Sequence, residues 1–302
     1  MTLVLGMRFS PKSGILIVDE QTSTPMRKTE IADKIYEDGE RPLPGFITGG
    51  SGSSDVIYRT VLEYSQRPES GPRAFNEAAR RVKHEVVDDH FRLRYGVGVG
   101  AFYTGLLPGT DQPVSRSLME RMERFFDSNG AEISDFLQNG FVILEPSDMS
   151  LSIAGTGVPS VLPIPRPYVA IGSGSDSAEI SMSQFYDRIS RERRFALGFT
   201  EGMRGAIKAA DEASKRNMGV GGVPSMAIIK DGAFYRPSQR NSRLAVEIVR
   251  SDNEGLISDG FVDEALEEIV EDPGSFAKVN HSFIRAAKDT ERLALFLRGY
   301  IE

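Results

Sequence analysis

The chain contains no cysteine. That excludes disulfides, thiolate metal sites and a cysteine nucleophile, and it suits a cytoplasmic protein. No run of about eighteen apolar residues occurs, so no transmembrane helix is expected. No charged-then-apolar leader opens the chain, so a secretory signal is not expected either. Histidine is scarce: His84, His90 and His281 are scattered, and the first two do not share a helix face. They read as structural or exposed, not as ligands, and neither a metal nor another cofactor is expected. A basic excess is also missing. With 36 Lys and Arg against 43 Asp and Glu, the formal net charge is −7, which argues against nucleic acid as the main partner.

What is present is ordinary globular composition, 40% apolar and 26% charged, over 302 residues. That length holds one large domain or two smaller ones. The chain opens on an apolar strand, Leu3 to Phe9, preceded by Thr2. With Met1 removed, Thr2 carries a hydroxyl and a free α-amine on one residue, a nucleophile with its own base. The plain alternative is an ordinary small residue at the edge of the core.

Ser10 to Gly14 reads as a hairpin turn, and Ile15-Leu16-Ile17-Val18 as a buried strand ending at Asp19-Glu20. Gln21 to Pro25 reads as a loop. Phe46-Ile47-Thr48 runs into the turn Gly49-Gly50-Ser51-Gly52-Ser53-Ser54-Asp55, followed by helices near 54–64 and 72–91. A further amphipathic helix is expected over 118–126. Strands at 141–144, 151–153 and 168–171 precede a second turn, Gly172-Ser173-Gly174-Ser175, and helices to about 216. Met226 to Ile229 is a last strand. Arg236 to Arg243 reads as a linker or exposed loop, ahead of helices at 262–271 and 282–300. Strands and helices are segregated, which points to layered α+β architecture. Neither glycine-serine turn is followed by the lysine that a P-loop needs.

Thr2 and Gly6 on the first strand, Gly14 at the hairpin, Lys34-Ile35-Tyr36, Gly49-Gly50-Ser51-Gly52 with Asp55, and Ile171 to Ser175 occur in an order that resembles the proteasome subunits, within the N-terminal-nucleophile hydrolases. The helix, Gly-Gly break and apolar strand of Ala206 to Ile229 fit the same pattern. The resemblance implies a four-layer αββα sandwich over residues 1–232, with an insertion at about 106–139 and a helical extension over 233–302.

It also implies roles. Thr2 would be the nucleophile and Lys34 the cation that lowers its pKa. Glu20 falls where catalytic members have an aspartate, with Asp19 as its neighbour and substitute. Gly50, or Gly49, would supply the oxyanion N–H. Ser173 matches the serine that contacts the N-terminal amine, although as a residue type it also suits a plain helix N-cap. Two positions depart from the pattern: Asn217 and Val220 stand where an aspartate and a serine are usual. The expectation is an N-terminal-threonine peptidase acting on peptide or protein substrates in a homo-oligomeric ring. The alternatives are an inactive ring-forming scaffold and a peptide transferase using the same nucleophile. At least one of the apolar helix at 118–126 and the terminal helix is expected at a subunit contact.

Overall fold

The computed structural model describes residues 2–19, 21–24, 27–30, 34–39, 43–128, 139–217, 220, 224–258 and 260–297, with side chains described outside 21–30 and 125–128. These residues form two compact units. The first takes the chain up to Ser51, then Phe141–Ile153 and everything from Leu162 onward; the second takes Gly52–Gly140 and Ala154–Val161. Elements are numbered in chain order.

The first unit is built on two strands that are apolar on both faces. In β1 (Leu3–Ser10), Leu3, Leu5, Met7 and Phe9 enter one apolar cluster while Val4 enters another. In β2 (Ser13–Asp19), Ile15 and Ile17 are divided from Leu16 and Val18 in the same way. Side chains alternate along a strand, so a dense apolar run is what two-sided burial demands. With β10 (Tyr168–Gly172), β11 (Pro224–Lys230) and β12 (Ala233–Tyr235) these strands make a sheet of order β10-β1-β2-β11-β12. Its pairings are antiparallel, with Leu3 opposite Gly172, Leu5 opposite Ile17 and Ile17 opposite Met226.

A second five-stranded sheet runs β5 (Ile35–Asp38), β6 (Phe46–Ser51), β7 (Gly140–Glu145), β8 (Ser150–Gly155) and β9 (Leu162–Ile164). The two sheets meet through Val4, Leu16 and Val18 on one side and Ile47, Val142 and Leu151 on the other. Two glycines let them close. A Cβ at Gly6 would lie 2.8 Å from Val142 Cγ1, and one at Gly49 would lie 2.6 Å from Val18 Cγ2. Between the sheets in sequence, β3 (Gln21–Thr24) and β4 (Arg27–Glu30) pair as a ribbon where a loop was expected. Thr22, Thr24 and Thr29 are β-branched, which favours the extended form.

On the other face of the first sheet lie α5 (Ser175–Asp187) and α6 (Phe199–Arg216), through Ala178, Met182, Met203, Ala206 and Ala210. Helix, sheet and sheet are three of the four layers expected. The stretch from 233 onward adds α7 (Gln239–Asn253), α8 (Phe261–Glu271), α9 (Phe276–Arg285) and α10 (Thr290–Phe296). Leu244, Ile248, Leu266, Phe283 and Leu293 join the same cluster as Leu3 and Phe9.

Two expectations change here. The supposed linker is the start of α7: Ser238 caps it by accepting the Asn241 N–H at 3.2 Å. The terminal helix is two helices, because Asp289 caps a new one by accepting the Arg292 N–H at 3.0 Å.

The second unit is helical: α1 (Ser54–Ser65), α2 (Pro72–Tyr95), α3 (Val99–Thr104) and α4 (Arg116–Ser128). Val56 packs with Val82 and Val86, and Phe91 with Ala101, Val114 and Met122. Asp88 accepts the Val99 N–H at 2.8 Å at the start of α3. Its bond to Arg92 holds this carboxyl below its ordinary pKa.

Candidate functional site

Thr2, Lys34, Gly49, Gly50 and Ser173 all belong to the first unit. Thr2 stands immediately before β1 and is buried, at 5% exposure. Gly172, at the end of β10, explains part of the glycine-serine turn beside it. Its φ of +96° is in the left-handed region, and a Cβ there would strike the Thr2 carbonyl and lie 2.8 Å from Ser51 Oγ. Thr2 backbone therefore requires glycine at 172.

Asp19 closes β2 and joins the start of β1 to Lys34. Its Oδ1 accepts the Leu3 N–H at 2.9 Å and lies 3.3 Å from Lys34 Nζ. The side chains are only 11% (Lys34) and 6% (Asp19) exposed. A pair this buried is held at the cost of desolvating both charges, so its loss on one side is expensive. Asp19 is thus a carboxylate partner of Lys34; Glu20, the other candidate, lies outside the described residues.

Lys34 directly precedes the Ile35–Gly49 pair of β5 and β6, and Gly50 directly follows it. Gly49 packs between Val4 and Val18 and is needed as glycine for sheet closure. That role accounts for Gly49 without chemistry and leaves Gly50, also buried, as the sharper oxyanion candidate.

Ser173 is exposed in the turn before α5. Gly174, not Ser173, is the N-cap residue, and no side chain caps that helix. The Ser173 carbonyl accepts a bond from Asn217 Nδ2. Val220 is buried at 4% and sits in the apolar cluster, against the position a Gly174 Cβ would take. The two departures from the proteasome-like pattern are therefore a neutral hydrogen-bond donor and a core side chain.

Sequence reasoning passed over two further residues. Asp211, on α6, and Arg250, on α7, form a buried ion pair in the apolar cluster region, with Arg250 Nε 3.0 Å from Asp211 Oδ1. The signal was there: each charge directly adjoins buried apolar helix positions, Asp211 after Ala209 and Ala210, and Arg250 after Ile248 and Val249. Among the described residues, no group of three His, Asp or Glu side chains is placed to hold a metal ion. No helix among them is long and apolar enough to cross a membrane.

No protein-family model matches the chain, and no curated protein does. Solved structures do. The chain is similar to eukaryotic HslV from Trypanosoma brucei, at 14% identity over 76% of this chain and 99% of that one, TM-score 0.44. It is similar to an Anbu (Gly-1) mutant from Hyphomicrobium sp. strain MC1, at 13% identity over 100% and 98%, TM-score 0.47. It is also similar to BPH from Thiobacillus denitrificans, at 14% identity over 76% and 98%, TM-score 0.45. None of these likenesses assigns a role to a residue here.

Proposed function

We propose that the chain is an N-terminal-threonine amidohydrolase that cleaves peptide bonds. The observation that supports this reading best is the shared Asp19 oxygen: one carboxylate holds both Lys34 and the N–H that follows Thr2. Hydrolysis of the bond before Thr2 frees its α-amine. Thr2 Oγ then attacks the substrate carbonyl, and the hydroxyl proton passes to that amine. The oxyanion forms beside the Gly50 N–H, and the proton is delivered to the departing amine of the substrate. The ester left on Thr2 is cleaved by water, whose proton the same amine accepts and returns to Thr2 Oγ. Lys34 keeps the potential at Thr2 positive, and Asp19 keeps Lys34 in place. Assembly into a ring of copies belongs to the same reading and rests on the sequence resemblance.

A second reading, an inactive scaffold, is favoured by Asn217 and Val220, which bring no charge and no hydroxyl to their positions. A peptide library separates the two. After incubation with wild-type protein, new amino termini are expected by mass spectrometry, and none with Thr2→Ala. Cleavage that persists in Thr2→Ala removes the threonine mechanism; no cleavage by a wild type whose Thr2 amine is free favours the scaffold.

A further inference from the structure

On the helix side of the first sheet, a cleft of about 40 Å³ lies between strands and helices, with room for about three waters. Asp19, at the end of β2, lines it together with Leu3. Asp211 and Ser214 come from α6, and Arg250 from α7. Asp19 therefore has two sides. One bonds Lys34 and the Leu3 N–H; the other borders this cleft, whose lining is mostly apolar and whose charged members are Asp19, Asp211 and Arg250.

We propose that Arg250 is a positioning residue for the Thr2 site, holding Asp19 in its ionised form across this cleft. The inference rests on the threonine reading above and makes the stretch from 233 onward part of the site's electrostatics. Among the described residues, Lys34 ahead of β5 pairs with Asp19, while Asp211 on α6, itself paired with Lys215, and Arg250 on α7 line the same cleft. Asp211 Oδ1 accepts two guanidinium N–H bonds from Arg250, and its Oδ2 lies 2.8 Å from Lys215 Nζ. Arg250 and Asp211 side chains are 10% and 5% exposed.

A buried pair of this kind seldom adds stability over an apolar pair of the same volume. Its location gives it another use. Arginine stays charged at every working pH, so it offsets Asp211 at all times. Without it, Asp211 faces Asp19 with only Lys215 to compensate, and like charges favour the protonated carboxyl. A neutral Asp19 no longer holds Lys34 by charge, and the potential at Thr2 changes with it.

The test reads Asp19 itself. Carbon-13 carboxyl NMR on the full chain, with the Asp19 resonance assigned by its loss in Asp19→Asn, gives the titration midpoint without any reaction at Thr2. Arg250→Met is expected to raise that midpoint by about one pH unit, and Arg250→Lys by less. Arg250→Gln keeps a hydrogen bond to Asp211 without the charge and replaces the methionine variant should that one not fold. Thr2 labelling by an electrophile is expected to fall in the uncharged variants as pH drops through the shifted Asp19 midpoint and to recover above it. An Asp19 midpoint that does not move in a folded, uncharged variant overturns the proposal. Because the midpoint is independent of chemistry at Thr2, an unreactive Thr2 in wild type counts against the threonine reading alone.

Discussion

Replacing Lys34 by methionine keeps an unbranched side chain, one atom shorter, and removes its charge. At 3.3 Å and an effective dielectric of about 20, the attraction to Asp19 is about 5 kcal/mol before desolvation is counted. Removing one side of such a buried pair costs about 3–5 kcal/mol, because the remaining charge is stranded. The stranded carboxyl has one escape, which is to take up a proton. For an ordinary aspartate that costs about 4 kcal/mol at pH 7 and about 1.5 kcal/mol at pH 5. The loss in Lys34→Met is therefore expected near 3–4 kcal/mol at pH 7 and near 1.5 kcal/mol at pH 5. The sign follows from burial. In the variant the neutral carboxyl is favoured in the folded state, so its stability is present at low pH and lost as pH rises. Urea unfolding at the two pH values measures both numbers. A loss under about 1 kcal/mol, equal at the two pH values, is what a solvent-exposed pair gives and would refute the reasoning. Catalytic rate in the same variant is expected to drop sharply; a rate within a few-fold of wild type would make Lys34 a bystander.

Gly49→Ala places a Cβ 2.6 Å from Val18 Cγ2 and 2.9 Å from Val4 Cγ1, and an overpacking cost of about 1–3 kcal/mol is expected by urea unfolding. No loss would mean the sheets do not close on this residue. Asp289→Ala removes the α10 cap and is expected to cost about 1 kcal/mol, seen as a lower thermal midpoint. Deleting the chain after Gly232 takes Leu244, Ile248, Leu266, Phe283 and Leu293 out of the core. Each buried side chain contributes about 1.5–3 kcal/mol, comparable in sum with the whole stability of a domain, so the truncated protein is expected to be unfolded or insoluble. A truncated form with a cooperative melt would contradict the shared core.

Much of the first sheet was readable from residue pattern alone. Leu3 to Met7 and Ile15 to Val18 run without a polar residue, which two-sided burial accommodates. The turns at Gly49 and Gly172 were also readable as turns. Their reasons were not, because Gly172 answers to the Thr2 backbone and Gly49 to the opposite sheet. The contact of Asp19 with Lys34 could not be read in sequence, since strand parity is uncertain at a strand end. The start of α7 was hidden by its charge: Arg236, Arg240 and Arg243 mask the cap at Ser238. The α9–α10 break was hidden by the opposite effect, an apolar run that continues past the Asp289 cap. Asp211 and Arg250 meet across 39 residues, a contact that local pattern does not encode.

The proposed chemistry begins at Thr2, and intact-mass spectrometry after treatment with an N-terminal-threonine-directed electrophile tests it most directly. One adduct is predicted on wild-type protein, mapped to a peptide that begins at Thr2, with no adduct on Thr2→Ala. Equal labelling of both proteins, or no labelling of a wild type whose Thr2 amine is free, would contradict it.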